Sequence, residues 1–416
     1  MREIREIKIV EMDQYCEIAF HSYPSFKDFS DKGKKGFIHE MLFIRKHDPD
    51  IKFYGMFEGK KLIAQMRLLI FEMNFLNATI RVGGLGSLAV HLLYKKQGIA
   101  REMIDFCEKY FLDQKIPLVA LLPFSPPFYY NKGYGYGTKM NRYIVQTSVL
   151  PRYAGENTCD FATKKDLSKL KKAHSEMMAQ THGMAEKMSY EWENNFADPE
   201  NLFIKSIDQQ GETDGYAIFK FKSTHPDNYT KIQILVRELI YTNREVLSKL
   251  IGFFANQGDQ AQTIEIKTYE EDFHYLFSNP LSCSENATDY GYFETNTQYI
   301  GNMYKILDLP LMLKHVEHRK YNNQNICFTL TLIESSRNQT YNIVIKDGDI
   351  GIEQTKKTFG LRIALTLSDF SSVFVGATTF RRLYDAGRLE CSDMNKLMSL
   401  DAAFVVERGP VCWSDY

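Results

Sequence analysis

Apolar and polar positions change their period several times along this chain, and each change marks an element. Residues 52–56 and 61–71 are apolar-rich runs on either side of Glu58-Gly59-Lys60, which predicts two strands joined in a hairpin. A further extended run ends near Val90, and Gly83, Gly84 and Gly86 are expected to form the turn that feeds it. From residue 98 to 112, Ala100, Met103, Ile104, Cys107, Tyr110 and Phe111 recur at helical spacing, so one face of a helix is apolar. Residues 117–122 are then apolar almost without interruption, as in a central strand covered on both sides. This order predicts a mixed sheet flanked by helices over residues 1–149.

The theme returns in residues 150–292. The pattern predicts a helix over 165–180, strands over 215–222 and 231–241, and a helix over 243–256. Its strand-to-helix turn reads Thr242-Asn243-Arg244-Glu245, an ordinary helix start with Thr242 as the cap and Glu245 three residues on. That turn lacks the glycine of the first copy, so this segment reads as a duplicate unable to hold the same ligand. From 293 to 416 the character changes. Phe328, Leu330 and Leu332 alternate with polar residues, as do Tyr341, Ile343 and Ile345, which predicts an antiparallel pair with one buried face. Helices are expected over 368–374 and 379–386, the second ended by Gly387. The fold class is α/β for the first two segments and α+β for the third. No Pro-rich linker separates them, so they should pack against one another.

Composition narrows the function. A chain of 416 residues suggests about two to four domains. With 51 basic and 52 acidic residues, it offers no overall attraction to nucleic acid or to an anionic membrane, and neither is expected as a partner. The charged first residues lack the apolar core of a signal peptide, and no apolar run approaches the ~18 residues needed to span a bilayer, so a cytoplasmic location is expected. Cysteines 16, 107, 159, 283, 327, 391 and 412 are scattered singly, which predicts neither a disulfide framework nor a metal site.

Chemistry concentrates in residues 88–104. Here the strand Leu88-Ala89-Val90 runs into a basic, glycine-bearing turn that opens a helix. Helix entry leaves backbone N–H groups without intrahelical partners, and their partial positive charge suits a phosphate. Lys95, Lys96 and Arg101 add full charges, Gly98 lets a phosphate approach the backbone, and Ala100 keeps the first turn small. Gly84-Leu-Gly86-Ser-Leu-Ala89 also spells G-x-G-x-x-A, but it leads into an extended run rather than a helix, so no dinucleotide site is read there.

The spacing Lys95-x-x-Gly98-x-Ala100 resembles the Q/R-x-x-G-x-G/A signature of GCN5-related N-acetyltransferases (GNAT), with Lys where Gln or Arg is usual. The resemblance implies acetyl-CoA as co-substrate and no metal. Lys95, Lys96, Gln97, Gly98, Ile99, Ala100 and Arg101 would hold its pyrophosphate, and Leu88, Ala89 and Val90 its pantetheine amides. The Val90 N–H would meet the thioester oxygen, and Phe124 and Ser125 would lie near the acetyl group. The Tyr- and Gly-rich run 126–137 reads equally well, by itself, as a packed aromatic loop. Within it, Phe128-Tyr129-Tyr130-Asn131-Lys132-Gly133-Tyr134 matches the superfamily's F-Y-x-K-x-G-F/Y, with Asn for the first Lys. That match implies Tyr129 as proton donor to the departing thiolate, with Tyr130 and Tyr136 as neighbouring alternatives.

The chain ends on an apolar-rich stretch, 409–416, closing with Tyr416. Taken together, the whole length resembles the Eis (enhanced intracellular survival) family of aminoglycoside N-acetyltransferases. This implies GNAT domains over 1–149 and 150–292, the second degenerate, and a sterol-carrier-like α+β domain over 293–416. It implies the α-carboxylate of Tyr416 as general base, an aminoglycoside-like polyamine as acceptor, and a homo-oligomer, commonly a hexamer. A terminal carboxylate, with a reference pKa of about 3.5, would act through water or by orienting the ammonium. Asp415 and Asp31 are candidate acidic neighbours for such an acceptor, and Tyr23, Phe26 and Phe37 candidate aromatic walls. Two other readings compete: a lipid-binding or scaffolding protein with vestigial acetyltransferase folds, and an acetyltransferase of protein lysines or N-termini.

Overall fold

Alternating apolar runs and helical stripes assemble here into three sheets with helices between them. The computed structural model describes residues 2–26, 28–153, 155, 158–284, 286–288, 290–334, 338–355 and 357–414, without the side chain of Phe26. The first stretch runs β1 (Arg2–Glu6), α1 (Met12–Ser22), α2 (Asp31–His47), β2 (Ile51–Glu58), β3 (Lys61–Phe75), β4 (Ala78–Val90), α3 (Ile99–Asp113), β5 (Leu118–Leu121), α4 (Pro126–Tyr130) and β6 (Gly135–Tyr136). Next come β7 (Lys139–Gln146), β8 (Cys159–Phe161), α5 (Leu167–Gln180), α6 (Ser189–Ala197), β9 (Leu202–Ile207), β10 (Thr213–Ser223), β11 (Ile232–Tyr241), α7 (Arg244–Ala255), β12 (Thr263–Thr268), β13 (Thr297–Ile300) and β14 (Met303–Ile306). The last part holds α8 (Leu309–His315), β15 (Ile326–Ile333), β16 (Gln339–Lys346), β17 (Asp349–Ile352), β18 (Arg362–Thr366), α9 (Leu367–Phe374), α10 (Phe380–Asp385), β19 (Leu389–Cys391) and α11 (Leu397–Phe404).

The strand orders are β1-β2-β3-β4-β5-β14-β6, then β13-β7-β12-β11-β10-β9-β8, then β17-β16-β15-β18-β19. The segments exchange strands. β7, read into the first segment, pairs with β12 of the second sheet, while β13 and β14 of the third segment join the second and first sheets respectively. Boundaries drawn at 149 and 292 therefore cut across paired strands. Such pairing leaves fewer sheet edges with open N–H and C=O groups.

In the first sheet, α3 covers one face through Met103, Ile104, Cys107 and Phe111, against Met66, Leu68 and Ile70 of β3. The other face, carrying Leu69, Phe71, Met73 and Phe75, is covered by α1 and α2 and merges with the third sheet's core. Two sequence expectations change. Gly83, Gly84 and Gly86 lie inside β4 rather than in a turn before it, and a Cβ at Gly83 would meet the Phe111 ring at 2.7 Å. Glycine there serves the close approach of α3 to the sheet. The cap of α7 is Asn243, whose side chain accepts from the Val246 N–H, while the Thr242 hydroxyl donates to the Asp214 carbonyl.

Candidate active site

The site is built where two strands part. β4 and β5 run parallel and pair only at Gly83–Val119 and Gly84–Ala120, after which β4 continues to Val90 alone on that side. Between Gly86 and Ala89 the β3–β4 register shifts by one residue, and Ser87 takes a left-handed φ of 50°. This is a β-bulge, which turns the strand and frees backbone groups from the ladder. The His91 N–H donates to the Ile63 carbonyl on β3 at 2.9 Å, so by strand alternation the Val90 N–H points the other way, into the opening. The Leu88 carbonyl accepts from the Tyr23 hydroxyl at 2.9 Å.

Beyond Val90 the chain makes a short turn over Leu92–Tyr94 and enters α3 through residues of left-handed conformation, Lys96 (φ 63°) and Gly98 (φ 81°). Left-handed residues interleaved with right-handed ones turn successive N–H groups to one side, which makes an anion-binding concavity. The Arg101 and Glu102 N–H groups bond to the Gly98 carbonyl, so the donors left over at this helix entry are those of Ile99 and Ala100. Lys95, Lys96 and Arg101 are exposed around it, and Gln97 accepts from Arg2 at 2.7 Å. Ile99 is buried and anchors the helix start in the core.

Three tyrosines of the aromatic run separate clearly. Tyr129, on α4, is buried, its ring 5.1 Å from that of Phe128 and 6.0 Å from that of Tyr134. No hydrogen bond ties its hydroxyl to the described residues, and burial, with Tyr23 and Cys107 nearby, pushes its pKa up. Tyr130 faces away: its hydroxyl donates to Asp369 at 2.7 Å and lies 3.0 Å from the Thr366 hydroxyl, in the third unit. Arg388 covers the Tyr130 ring at 4.8 Å and pairs with Asp369 at 2.8 Å. Tyr136 stacks on Tyr130 at 5.6 Å. Phe124 is 76% exposed just beyond β5, its ring centroid 5.9 Å from that of Tyr23 and nearly perpendicular to it, and Ser125 is exposed at the start of α4.

The other expected residues distribute unevenly. Phe37 packs on Tyr15 and Phe20 in the core, and Asp31 is exposed in the first turn of α2. Asp415, Tyr416 and the side chain of Phe26 lie outside the described residues. The approach of the tail is described. Val411 donates to the His182 carbonyl, the Tyr269 hydroxyl donates to the Cys412 carbonyl, and Trp413 meets the Tyr269 ring at 5.0 Å. Cys412 and Ser414 are buried, and Cys412 lies near Tyr304 of β14, the strand beside β5.

Two residues that sequence reasoning passed over also face this region, Gln65 and Arg67 of β3. They occupy alternate positions in an apolar strand, opposite Ala89 and Gly86. Polar residues two apart in such a strand were the available signal, since alternation puts both on one face.

The second sheet repeats the geometry. β11 and β12 pair in parallel only up to Val236–Ile266, and β11 carries its own register shift before Glu238. There, however, the buried Glu238 is paired with Lys187 and accepts from the Tyr216 hydroxyl at 2.5 Å, with Trp192 over the Lys187 ammonium. A groove of about 560 Å³ beside the start of α7 is lined by Glu270 and Asp272 as well as Arg244 and Arg408.

Comparison with known proteins gives three matches along the chain. Residues 3–137 and 183–292 each match an acetyltransferase (GNAT) domain, and residues 313–413 match a sterol carrier protein domain. No curated protein matches. A conserved protein of Enterococcus faecalis V583, named a probable N-acyltransferase, superposes with a TM-score of 0.80 at 18% identity over 100% of both chains. A GCN5-related N-acetyltransferase of Anabaena variabilis ATCC 29413 gives 0.77 at 15% identity over 99% of each chain. Eis1 of Mycobacterium abscessus gives 0.77 at 13% identity over 100% of both. The chain thus carries two GNAT domains followed by a sterol-carrier-like domain.

Proposed function

We propose that this tandem GNAT protein transfers acetyl from acetyl-CoA to an acceptor amine, and that the first domain does the chemistry. The observation that carries this reading is the open edge of β4 from the Ser87 bulge to Val90, leading into the left-handed turn at Lys96 and Gly98. An open strand edge can pair with the amides of pantetheine, and the turn can take the pyrophosphate. Leu88, Ala89, Val90 and residues 95–101 fit those two roles, with Phe124 and Ser125 at the mouth of the opening. In the second domain the equivalent bulge is filled by Lys187, Glu238 and Tyr216, so that domain is proposed as scaffold.

In the proposed reaction a neutral amine attacks the thioester carbon, the Val90 N–H stabilises the oxyanion, and the C–S bond breaks as the tetrahedral intermediate collapses. Tyr129 arrives protonated, as a phenol with an ordinary pKa of about 10 is at neutral pH, and burial raises that pKa further. Its O–H donates to the developing thiolate, the proton lost by the amine passes to solvent or to the chain's terminal carboxylate, and a proton from solvent restores Tyr129, leaving amide and free CoA thiol. Tyr130 is a poor alternative, since its hydroxyl is spent on Asp369. The path of residues 411–414 toward Tyr304 supports the terminal carboxylate of Tyr416 as the acceptor-side base.

The third domain is read as a scaffold rather than a lipid carrier. Its inner face is closed by Phe328, Phe374, Phe380 and Phe404, with ring centroids of Phe380 and Phe404 5.2 Å apart. An aminoglycoside-like polyamine, the acceptor implied by the resemblance, would bring several positive charges to a face that already holds Arg67. A homo-oligomer, hexameric by the same resemblance, and a cytoplasmic location belong to this proposal. Among the described residues no helix is long and apolar enough to cross a membrane. Calorimetric titration with acetyl-CoA, followed by thiol release in the presence of polyamines, amino acids and lysine peptides, tests the whole reading. Absence of saturable acetyl-CoA binding would remove it.

A further inference from the structure

On the acceptor side of the sheet lies a cation that, among the described residues, forms no salt bridge. Arg67 lies on β3 opposite Gly86, beside the bulge and just past the point where β4 leaves β5. Its Nε is closed off from solvent without a hydrogen-bond partner, although part of the residue remains accessible. The guanidinium lies 5.5 Å from the Tyr190 ring, and Glu40 acts on it through space while its carboxylate accepts from Asn194 at 2.9 Å, so no acid hydrogen-bonds it directly among the described residues. Two positions back, the carboxamide of Gln65 is fully buried with neither its oxygen nor its nitrogen bonded.

Buried polar groups are nearly always paired, and a buried charge more so, because leaving water without a partner costs several kcal/mol, roughly. An anion beside Arg67 would remove that cost. Tyr23 connects the place to the chemistry: it hydrogen-bonds the Leu88 carbonyl and lies near both Arg67 and Tyr129. Gln65, opposite Ala89, is nearer to Val90 than Arg67 is, so an entering molecule would place its anion deeper than its amine.

Building on the acetyl-transfer reading, we propose that Arg67 and Gln65 form an anion subsite of the acceptor site, and that the acceptor is a small amine bearing a carboxylate. A guanidinium matches a carboxylate with two parallel hydrogen bonds. One guanidinium balances one charge, which suits a carboxylate better than a phosphate dianion. A polycation would add to the unpaired charge instead of relieving it.

The test compares acid and amine partners on the full-length protein saturated with CoA. L-lysine against cadaverine and L-phenylalanine against phenethylamine are titrated calorimetrically, with kanamycin as polycation. The wild type should bind at least one acid ten times more tightly than its decarboxylated partner. Arg67→Met should weaken that acid at least tenfold and leave the amine within twofold, and Arg67→Lys should recover part of the loss. Unaltered CoA affinity shows that the variants are folded. If the wild type binds the acids no better than the amines, or Arg67→Met and Arg67→Lys both weaken acid and amine alike at unaltered CoA affinity, the subsite is refuted. Acids that bind through Arg67 but are never acetylated would leave the subsite standing and overturn acetyl transfer.

Discussion

Replacing Tyr129 by Phe deletes one oxygen and keeps the ring that packs between Phe128 and Tyr134. Because that hydroxyl has no partner among the described residues, its removal should leave stability unchanged or slightly raised. The loss should appear only in the chemical step. A hydrogen bond from a neutral O–H to a charged acceptor is worth about 1.5–3 kcal/mol, which corresponds to about 10- to 150-fold in kcat. Acetyl-CoA affinity should not move. Since burial holds the tyrosine's pKa above its ordinary value, the wild-type rate should show no decline from Tyr129 ionisation below about pH 10. Thiol release at saturating substrates gives kcat, and a thermal melt gives stability. Tyr130→Phe supplies the opposite signature. It loses the bonds to Asp369 and Thr366, should cost about 1–3 kcal/mol of stability, and should keep kcat. Wild-type kcat in Tyr129→Phe, or a kcat loss confined to Tyr130→Phe, would refute the assignment.

Other outcomes follow from the same structure. A peptide tag appended after Tyr416 should abolish turnover while acetyl-CoA binding measured by calorimetry persists; full activity with the tag would exclude the terminal carboxylate. Gly98→Ala meets no atom within 4 Å but must hold φ at 81°, so acetyl-CoA affinity should fall about fivefold for roughly 1 kcal/mol of backbone strain. His182 accepts from the Leu76 N–H through Nδ1, so its Nε2 carries the proton donated to the Val375 carbonyl. Burial lowers its pKa to about 4, and His174 is lowered likewise to about 4. The unfolded chain takes up these protons near pH 6.5, so their stabilisation is complete above that pH and is lost as pH falls from about 6.5 to about 4. His182→Gln should reduce the slope of unfolding free energy against pH in that window by up to about 1.4 kcal/mol per unit, and an unchanged slope would contradict this.

Much of the local architecture was legible. Periodicity placed the helix Ile99–Asp113 and the strand Leu118–Leu121 to within a residue or two, since an apolar stripe is written in neighbouring positions. The glycines at 83, 84 and 86 misled because a glycine kept for close packing against Phe111 looks, in sequence, like one kept for a turn. Thr242 and Asn243 could each cap α7, and only the hydrogen bonds separate them. Arg67 and Gln65 passed as the occasional polar residues of a strand.

By itself, then, the sequence determined the segments, their periods, the basic turn from Lys95 to Arg101 and the aromatic run, all of which depend on residues a few positions apart. The tertiary structure decided where β4 parts from β5, that β14 inserts beside β5, that Tyr130 is claimed by Asp369 while Tyr129 stays available, and that the Nε of Arg67 is shut from solvent with no hydrogen-bond partner among the described residues. Those outcomes depend on contacts between residues tens to hundreds of positions apart. Strand partners and buried charge balance are settled by what the whole chain brings together, and no local pattern carries that information.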